Sequence, residues 1–233
     1  MTKSSTSRSQ IQTVSSFQNL ISIPFSGEVN ALAWKRNLRG DFEEIVNKIE
    51  PGDNLVTLSI EDLKELQLSE QGDLAREVLI NDFKALEDLG ASPILNVIQC
   101  YDREEPSSFF PTDVYSFHVD RSPVPVDTFL CTYYGASSEI VPNADATKKI
   151  LIPEIRKELL TLYSGMDDEG FEIFLSENFY DLHYEVKPDA QILSLGTGHI
   201  YRLAIEHPES QVLPCVHRAP LERPGQSRLL MIC

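Results

Sequence analysis

The sequence predicts an α+β fold in which a helical front half packs against a barrel or sandwich of short antiparallel strands. Three observations point there. Apolar residues recur at helical spacing up to Gly90. Beyond it, short aromatic and β-branched runs alternate with Pro, Ser and Asp, and one helical stretch interrupts them between Pro153 and about Phe179.

Residues 1 to 16 are rich in Ser, Thr and Gln and carry too little apolar surface to offset the entropy of ordering, so a disordered tail is expected. The rest, 17 to 233, reads as one domain. From Phe17 to Gly90 the pattern predicts a helical buttress. Asp41 is placed to cap a helix through Ile49, and Ser59 with Asp62 resembles a capping box. Leu74, Val78, Leu79, Phe83, Leu86 and Leu89 then form an apolar stripe ending at Gly90, a natural residue for the position after a helix. The barrel core is expected over 91 to 233. Its strands are ILNVIQC (94–100), VYSFHVD (114–120), TFLCTYY (128–134), LHYEV, QILSL, HIYRLAI, VLPCVHR and the terminal RLLMIC. Within the insertion (153–179), Leu159, Leu160 and Tyr163 share one helical face, and Asp167 is the expected cap of a second helix carrying Phe171, Phe174 and Leu175.

A chain of 233 residues can bury roughly 70% of its unfolded surface, so a sizeable core needs no disulfides. The four cysteines show no C-x-x-C pair, which suits reduced thiols in a cytoplasmic protein. With 20 Lys+Arg against 36 Asp+Glu, the net charge of −16 repels phosphate backbones and argues against nucleic acid as a partner. No run approaches a membrane span, and the first residues have no apolar signal-like core. A small molecule or another protein is the expected substrate. Neither G-x-S-x-G, H-E-x-x-H nor a P-loop is present, and Gly196-Thr197-Gly198 is too short to cradle phosphate.

The chemistry-bearing pattern is His118-x-Asp120. Side chains two apart on a strand share a face, so an imidazole and a carboxylate project together. A histidine from another strand completes a 2-His-1-carboxylate facial triad, which leaves open positions on Fe(II). His217 is the expected third ligand. Arg228 follows on the terminal strand after a turn containing Pro224 and Gly225, where a hairpin returns its guanidinium towards His217 to clamp a carboxylate. His183, spaced two from Asp181, is the rival third ligand and otherwise a supporting or substrate-side group. Arg218 must face away from His217 and pair with surface acid, and Cys215 shares the His217 face. Thr132 or Tyr133 is placed to donate a hydrogen bond to a co-substrate carboxylate. His199 and His207, beside Gly and Pro, read as loop residues.

The order H-x-D, distant His, then Arg resembles that of Fe(II)/2-oxoglutarate-dependent oxygenases. SLGTGHIYRLAI followed by VLPCVHRAPLERPGQSRLLMIC is similar to the segments that close their double-stranded β-helix, a jelly-roll or cupin-like barrel. VNALAWKR, FHVDR, FLCTYYG, VHRAP and RLLMIC further resemble landmarks of an uncharacterised, mostly bacterial domain-of-unknown-function family, from about Val29 to the end. The resemblance implies iron on His118, Asp120 and His217, 2-oxoglutarate held by Arg228, and hydroxylation of a C–H bond. Two other classes stand beside it: a metal- or ligand-binding cupin-like module without turnover, and a zinc hydrolase using the same three ligands.

Overall fold

The computed structural model describes residues 10–49, 54–101, 110–221, 223 and 225–233. Strand β1 (Ile11–Val14) and helix α1 (Phe17–Ser22) lead into β2 (Ala31–Trp34), α2 (Phe42–Lys48), β3 (Leu55–Leu58), α3 (Ile60–Glu65) and the long α4 (Glu70–Glu87). There follow β4 (Ile94–Ile98), β5 (Asp127–Tyr134), β6 (Glu139–Ile140) and β7 (Ala146–Lys148), then α5 (Pro153–Tyr163) and α6 (Glu169–Glu177). The chain ends with β8 (Tyr184–Val186), β9 (Leu193–Ser194), β10 (Ile200–Ala204), β11 (His217–Arg218) and β12 (Arg228–Ile232). The fold is α+β, built on a large, mostly antiparallel sheet.

That sheet has seven strands in the order β1-β2-β10-β5-β12-β4-β3, and only the β1–β2 pair is parallel. A three-stranded sheet, β11-β6-β9, and a two-stranded one, β7-β8, accompany it. Strand alternation gives the large sheet two different faces. Leu32, Leu95, Val97, Cys131, Tyr133, Leu229 and Met231 pack with Leu20, Ile45, Leu63 and Leu79 of the front helices. Ala31, Ala33, Ile98, Leu130, Leu203 and Leu230 face the other way, against Ile140, Leu195 and Cys215 of the small sheet and its flanks. Each side chain buried this fully contributes roughly 1.5–3 kcal/mol when it is the size of Leu or Ile. The core therefore consists of two layers separated by one sheet. Among the described residues none of the three sheets closes on itself.

The helix signals in the sequence operate as expected. The Asp41 carboxylate accepts from the Glu44 amide, and Ser59 and Asp62 make a reciprocal capping box. Insertion helices α5 and α6 bury Leu159, Phe171 and Leu175 against Phe110 and Ile150.

Several expectations are corrected. The tail is not disordered through residue 16: β1 is hydrogen-bonded beside β2, Gln10 is buried with its side-chain amide donating to the Val141 carbonyl, and Ser16 caps α1. Residues 1–9 lie outside the described residues. The front half is not purely a helical buttress either, because β2 and β3 join the large sheet. Ala31 and Ala33 are completely buried, and small residues of weak β-propensity suit a strand wherever two layers press close to it. The cap of α6 is Asp168, whose carboxylate accepts from the Gly170 and Phe171 amides, while Asp167 pairs with Arg156.

Candidate metal centre

Of the expected strand 114–120, residues 114–116 form a turn, closed by the Ser116 amide donating to the Asp113 carbonyl, and the residues that follow are held by single bridges and not by a long strand ladder. His118 sits between two neighbours, bridging His217 on one side and His183 on the other. With His217 it exchanges both backbone hydrogen bonds, each 2.9 Å long. Alternation then sorts the side chains. Phe117, Val119 and Val216 pack together with Val141 and Leu182 on the outer side. His118, Asp120 and His217 project to the other.

The ligand atoms of these three residues all lie within 4.8 Å of one another, and they could hold a metal ion. The protonation pattern suits that role. His118 Nδ1 lies 2.8 Å from the Ser116 carbonyl and His217 Nδ1 lies 3.1 Å from the Cys215 carbonyl. A carbonyl can only accept, so both rings carry a proton on Nδ1, which makes Nε2 the atom that can bind a metal. Burial, reinforced by the neighbouring His217, pushes the His118 imidazole down to about 4, so this ring is neutral across the physiological range. Burial alone raises the pKa of Asp120. The His217 ring, the Thr128 hydroxyl that donates to Oδ2, and His118 outweigh it and hold the carboxyl below its ordinary value. Two imidazoles and one carboxylate form a donor set of the facial-triad type.

His183 is not a member of the cluster. Its Nδ1 is bonded to the Ser116 hydroxyl, and its ring also bonds the Thr112 backbone. Because the Ser116 carbonyl orients His118, His183 steadies the loop that aims the first ligand. Burial, with His118 and Lys149 nearby, pushes His183 down to about 3.

The remaining predicted residues divide between the two faces of the large sheet. Tyr133 is on the helix side, stacked on Phe42 with its hydroxyl donating to Asp82 at 2.7 Å, so it cannot serve a co-substrate at the centre. Residue 133 is odd-numbered in β5, and Thr128, Leu130 and Thr132 are the inward set. Thr132 is accordingly buried on the inner face, and its hydroxyl has no hydrogen-bond partner. Arg228 is inward as well, across from Ile98 and in line with Leu230. Its Nη2 donates to the Ser138 hydroxyl at 3.3 Å, it bonds the Tyr101 side chain, and Nε has no acceptor among the described residues. Among the described residues no carboxylate pairs with it, and burial lowers its pKa despite the Tyr101 contact. Gly135 permits this placement: a Cβ there would stand 2.4 Å from the Ser227 carbonyl oxygen and 3.2 Å from Arg228 Cγ. Pro224, part of the turn before this strand, lies outside the described residues.

One cavity adjoins the centre and a second lies around Arg228. A cleft of about 980 Å³ is lined by His118, Asp120, Thr128, Leu182, His183 and Ile205, among others. Arg228 lies in a separate, narrow cavity of about 10 Å³ with Tyr101, Tyr115 and Ile98. The two are linked through the ligand loop, since the Tyr115 hydroxyl accepts from the Tyr101 amide one residue before Ser116. Arg218 faces away from the centre and pairs with Glu139 at 2.7 Å, as its position on the strand requires. His199 accepts from the Arg36 amide, and His207 lies on the cleft wall. All four cysteines are free.

Sequence reasoning missed Thr128 and Ser116. Thr128 was legible in part, because it has the parity of Thr132 on the same strand. Its pairing with Asp120 depends on the loop that brings 120 back beside 128.

No family model matches the chain, nor does any curated protein or solved structure. The case for its chemistry therefore rests on these residues. No helix among the described residues is long and apolar enough to cross a membrane.

Proposed function

We propose that the protein is a non-haem Fe(II) oxygenase that uses 2-oxoglutarate as co-substrate to hydroxylate a small-molecule or protein substrate. The observation that carries this reading is the convergence of His118, Asp120 and His217, with both imidazoles locked as Nδ1–H tautomers by backbone carbonyls. Iron on such a triad keeps three positions for exchangeable ligands and supplies the redox chemistry of oxygen-dependent hydroxylation.

The chain's own residues have the following parts. Thr128 keeps the Asp120 carboxylate ionised and aimed. Ser116, steadied by His183, orients His118. Among the described residues, Arg228 supplies a buried guanidinium without a carboxylate and Thr132 a buried hydroxyl without a partner. They lie on paired, adjacent strands, facing the same interior. Buried polar groups left without partners are uncommon and point to a ligand that satisfies them. A carboxylate suits both, because it accepts from a guanidinium and from a hydroxyl together. The facing sheets are consistent with an open relative of the double-stranded β-helix, and the free thiols suit a reducing, cytoplasmic setting.

The test is anaerobic titration of metal-free protein with Fe(II), followed by 2-oxoglutarate. The expected result is one iron per chain and a weak visible charge-transfer band that is lost in Asp120→Ala. Stoichiometric iron retained in His118→Ala overturns the centre. Iron bound without any band overturns the co-substrate assignment and favours a sensor module or a hydrolytic metal.

A further inference from the structure

The large cleft beside the triad has a one-sided polar lining. Four carboxylates line it, Asp113, Asp120, Asp127 and Glu206, against one guanidinium, Arg121. That guanidinium is already engaged by Asp181 and Glu206, with Nη1 donating to the Ser176 hydroxyl. Glu206 is also paired with Lys148, Asp127 is held by Arg202 at 2.7 Å, and Asp120 belongs to the triad. Asp113 differs from the other three. Its Oδ1 accepts from the Tyr115 and Ser116 amides, while no cation forms an ion pair with it among the described residues. The Lys149 ammonium, buried over the Phe110 ring, is near enough to feel its charge but does not line the cleft.

Beside these and the polar His118, Thr128, His183 and His207, the wall carries the apolar side chains Val126, Leu182, Ile205 and Phe179. Phe179 is unusual on two counts. It is 59% exposed, and its φ of 59° lies in the left-handed region that a residue with a bulky side chain rarely adopts. Phe179 takes this conformation directly after α6, its amide donating to the Ser176 carbonyl, and that helix end holds the ring exposed on the cleft wall.

We propose that this cleft admits a substrate with an apolar body and an ammonium head, the head beside Asp113 and the body against Phe179, Val126 and Ile205. A carboxylate or phosphate head finds no unpaired lining cation among the described residues, and near Asp113 it meets repulsion in a partly desolvated site. A cleft of about 980 Å³ is large enough for a drug-sized molecule or a lysine-like side chain with its flanking backbone. The inference rests on the reading of this cleft as the substrate entrance to the metal centre, but binding in it needs no iron.

The test uses three probes with one body: 4-phenylbutylamine, 4-phenylbutanol and 4-phenylbutanoate. Their binding to the metal-free full-length chain is measured by calorimetry and ligand-observed NMR. The amine should bind about fivefold or more tighter than the alcohol, the scale of one partly exposed charge pair, and the carboxylate weakest. Asp113→Asn keeps the Oδ1 acceptor that caps the loop, and should equalise amine and alcohol without weakening the alcohol. Phe179→Ala should weaken all three. Equal binding of amine and carboxylate, a preference that survives Asp113→Asn, or no binding of any probe overturns the proposal. Because iron is absent, these outcomes are separable from the charge-transfer test. A band without amine preference removes the substrate class and keeps the centre, and the converse removes the centre and keeps the cleft.

Discussion

Two buried guanidinium groups lie on opposite faces of the seven-stranded sheet, and their surroundings differ. On the helix side, Arg36 forks onto both oxygens of Asp82 at 2.7 Å each, donates to the Gly198 carbonyl and stacks over Trp34. Burial opposes its charge, but Asp82 outweighs burial and raises its pKa. Tyr133 completes the group by donating to the same carboxylate. On the inner side, Arg228 has a serine hydroxyl, the Tyr101 side chain and an unfilled Nε, and burial lowers its pKa. A closed network of this kind ties β2, α4 and β5 together. An incomplete one costs stability by itself, and that cost is intelligible where a ligand completes it.

The largest effect should come from breaking the closed side. Asp82→Ala strands a buried guanidinium and a buried phenol, and urea unfolding should show a loss of about 3–5 kcal/mol. If the loss is under about 1 kcal/mol, Arg36 is not held as the geometry shows.

The second effect concerns pH and the site side of the sheet. The imidazoles of His118 and His183 have folded pKa values of about 4 and 3, both below the unfolded value near 6.5. Between those limits the unfolded chain binds more protons, so stability rises with pH. Metal-free protein should therefore lose stability as pH falls below about 6.5, on the order of several kcal/mol by pH 4, with His183→Asn flattening the curve. A flat profile across that window removes the claim that both rings are buried as neutral bases.

Arg228→Leu sharpens the comparison, because its two readouts should diverge. Removing an incompletely paired buried cation should leave stability unchanged or raise it by about 1 kcal/mol, while 2-oxoglutarate affinity falls by about 2–5 kcal/mol with iron still bound. A destabilisation as large as that of Asp82→Ala would make Arg228 a structural residue like Arg36. The smallest effect is expected from Thr128→Val, which keeps the shape of β5 and removes the hydroxyl on Asp120. Iron affinity should drop about 10–100-fold without loss of the fold, as competition against a chelator would show.

Much of this organisation is legible in the chain. The capping residues Asp41 and Ser59 act through neighbours within three residues, so the information is local. The H-x-D pair is legible because two-residue spacing holds in any extended segment, even one bridged only at His118. The outward face of Arg218 follows from the same parity. Tyr133 was misjudged for a related reason: parity separates it from Thr132, but nothing in TFLCTYY says which parity faces the centre. The tail was misjudged because Ser- and Thr-rich composition gives no sign that Ile11 and Val14 would find two separate cores.

By itself, then, the sequence determined the class of the fold, the caps of α2 and α3, the acidic character of the chain and the choice of His118, Asp120 and His217 as the residues that converge. Each of these depends on composition or on spacing within a few residues. Tertiary structure alone decided that the large and small sheets pack face to face without closing, that Arg228 and Tyr133 lie on opposite faces, and that Asp113 is the cleft carboxylate without a cation among the described residues. Those outcomes depend on pairings between residues tens to hundreds of positions apart, where register and the packing of two layers choose among partners that local chemistry leaves equivalent.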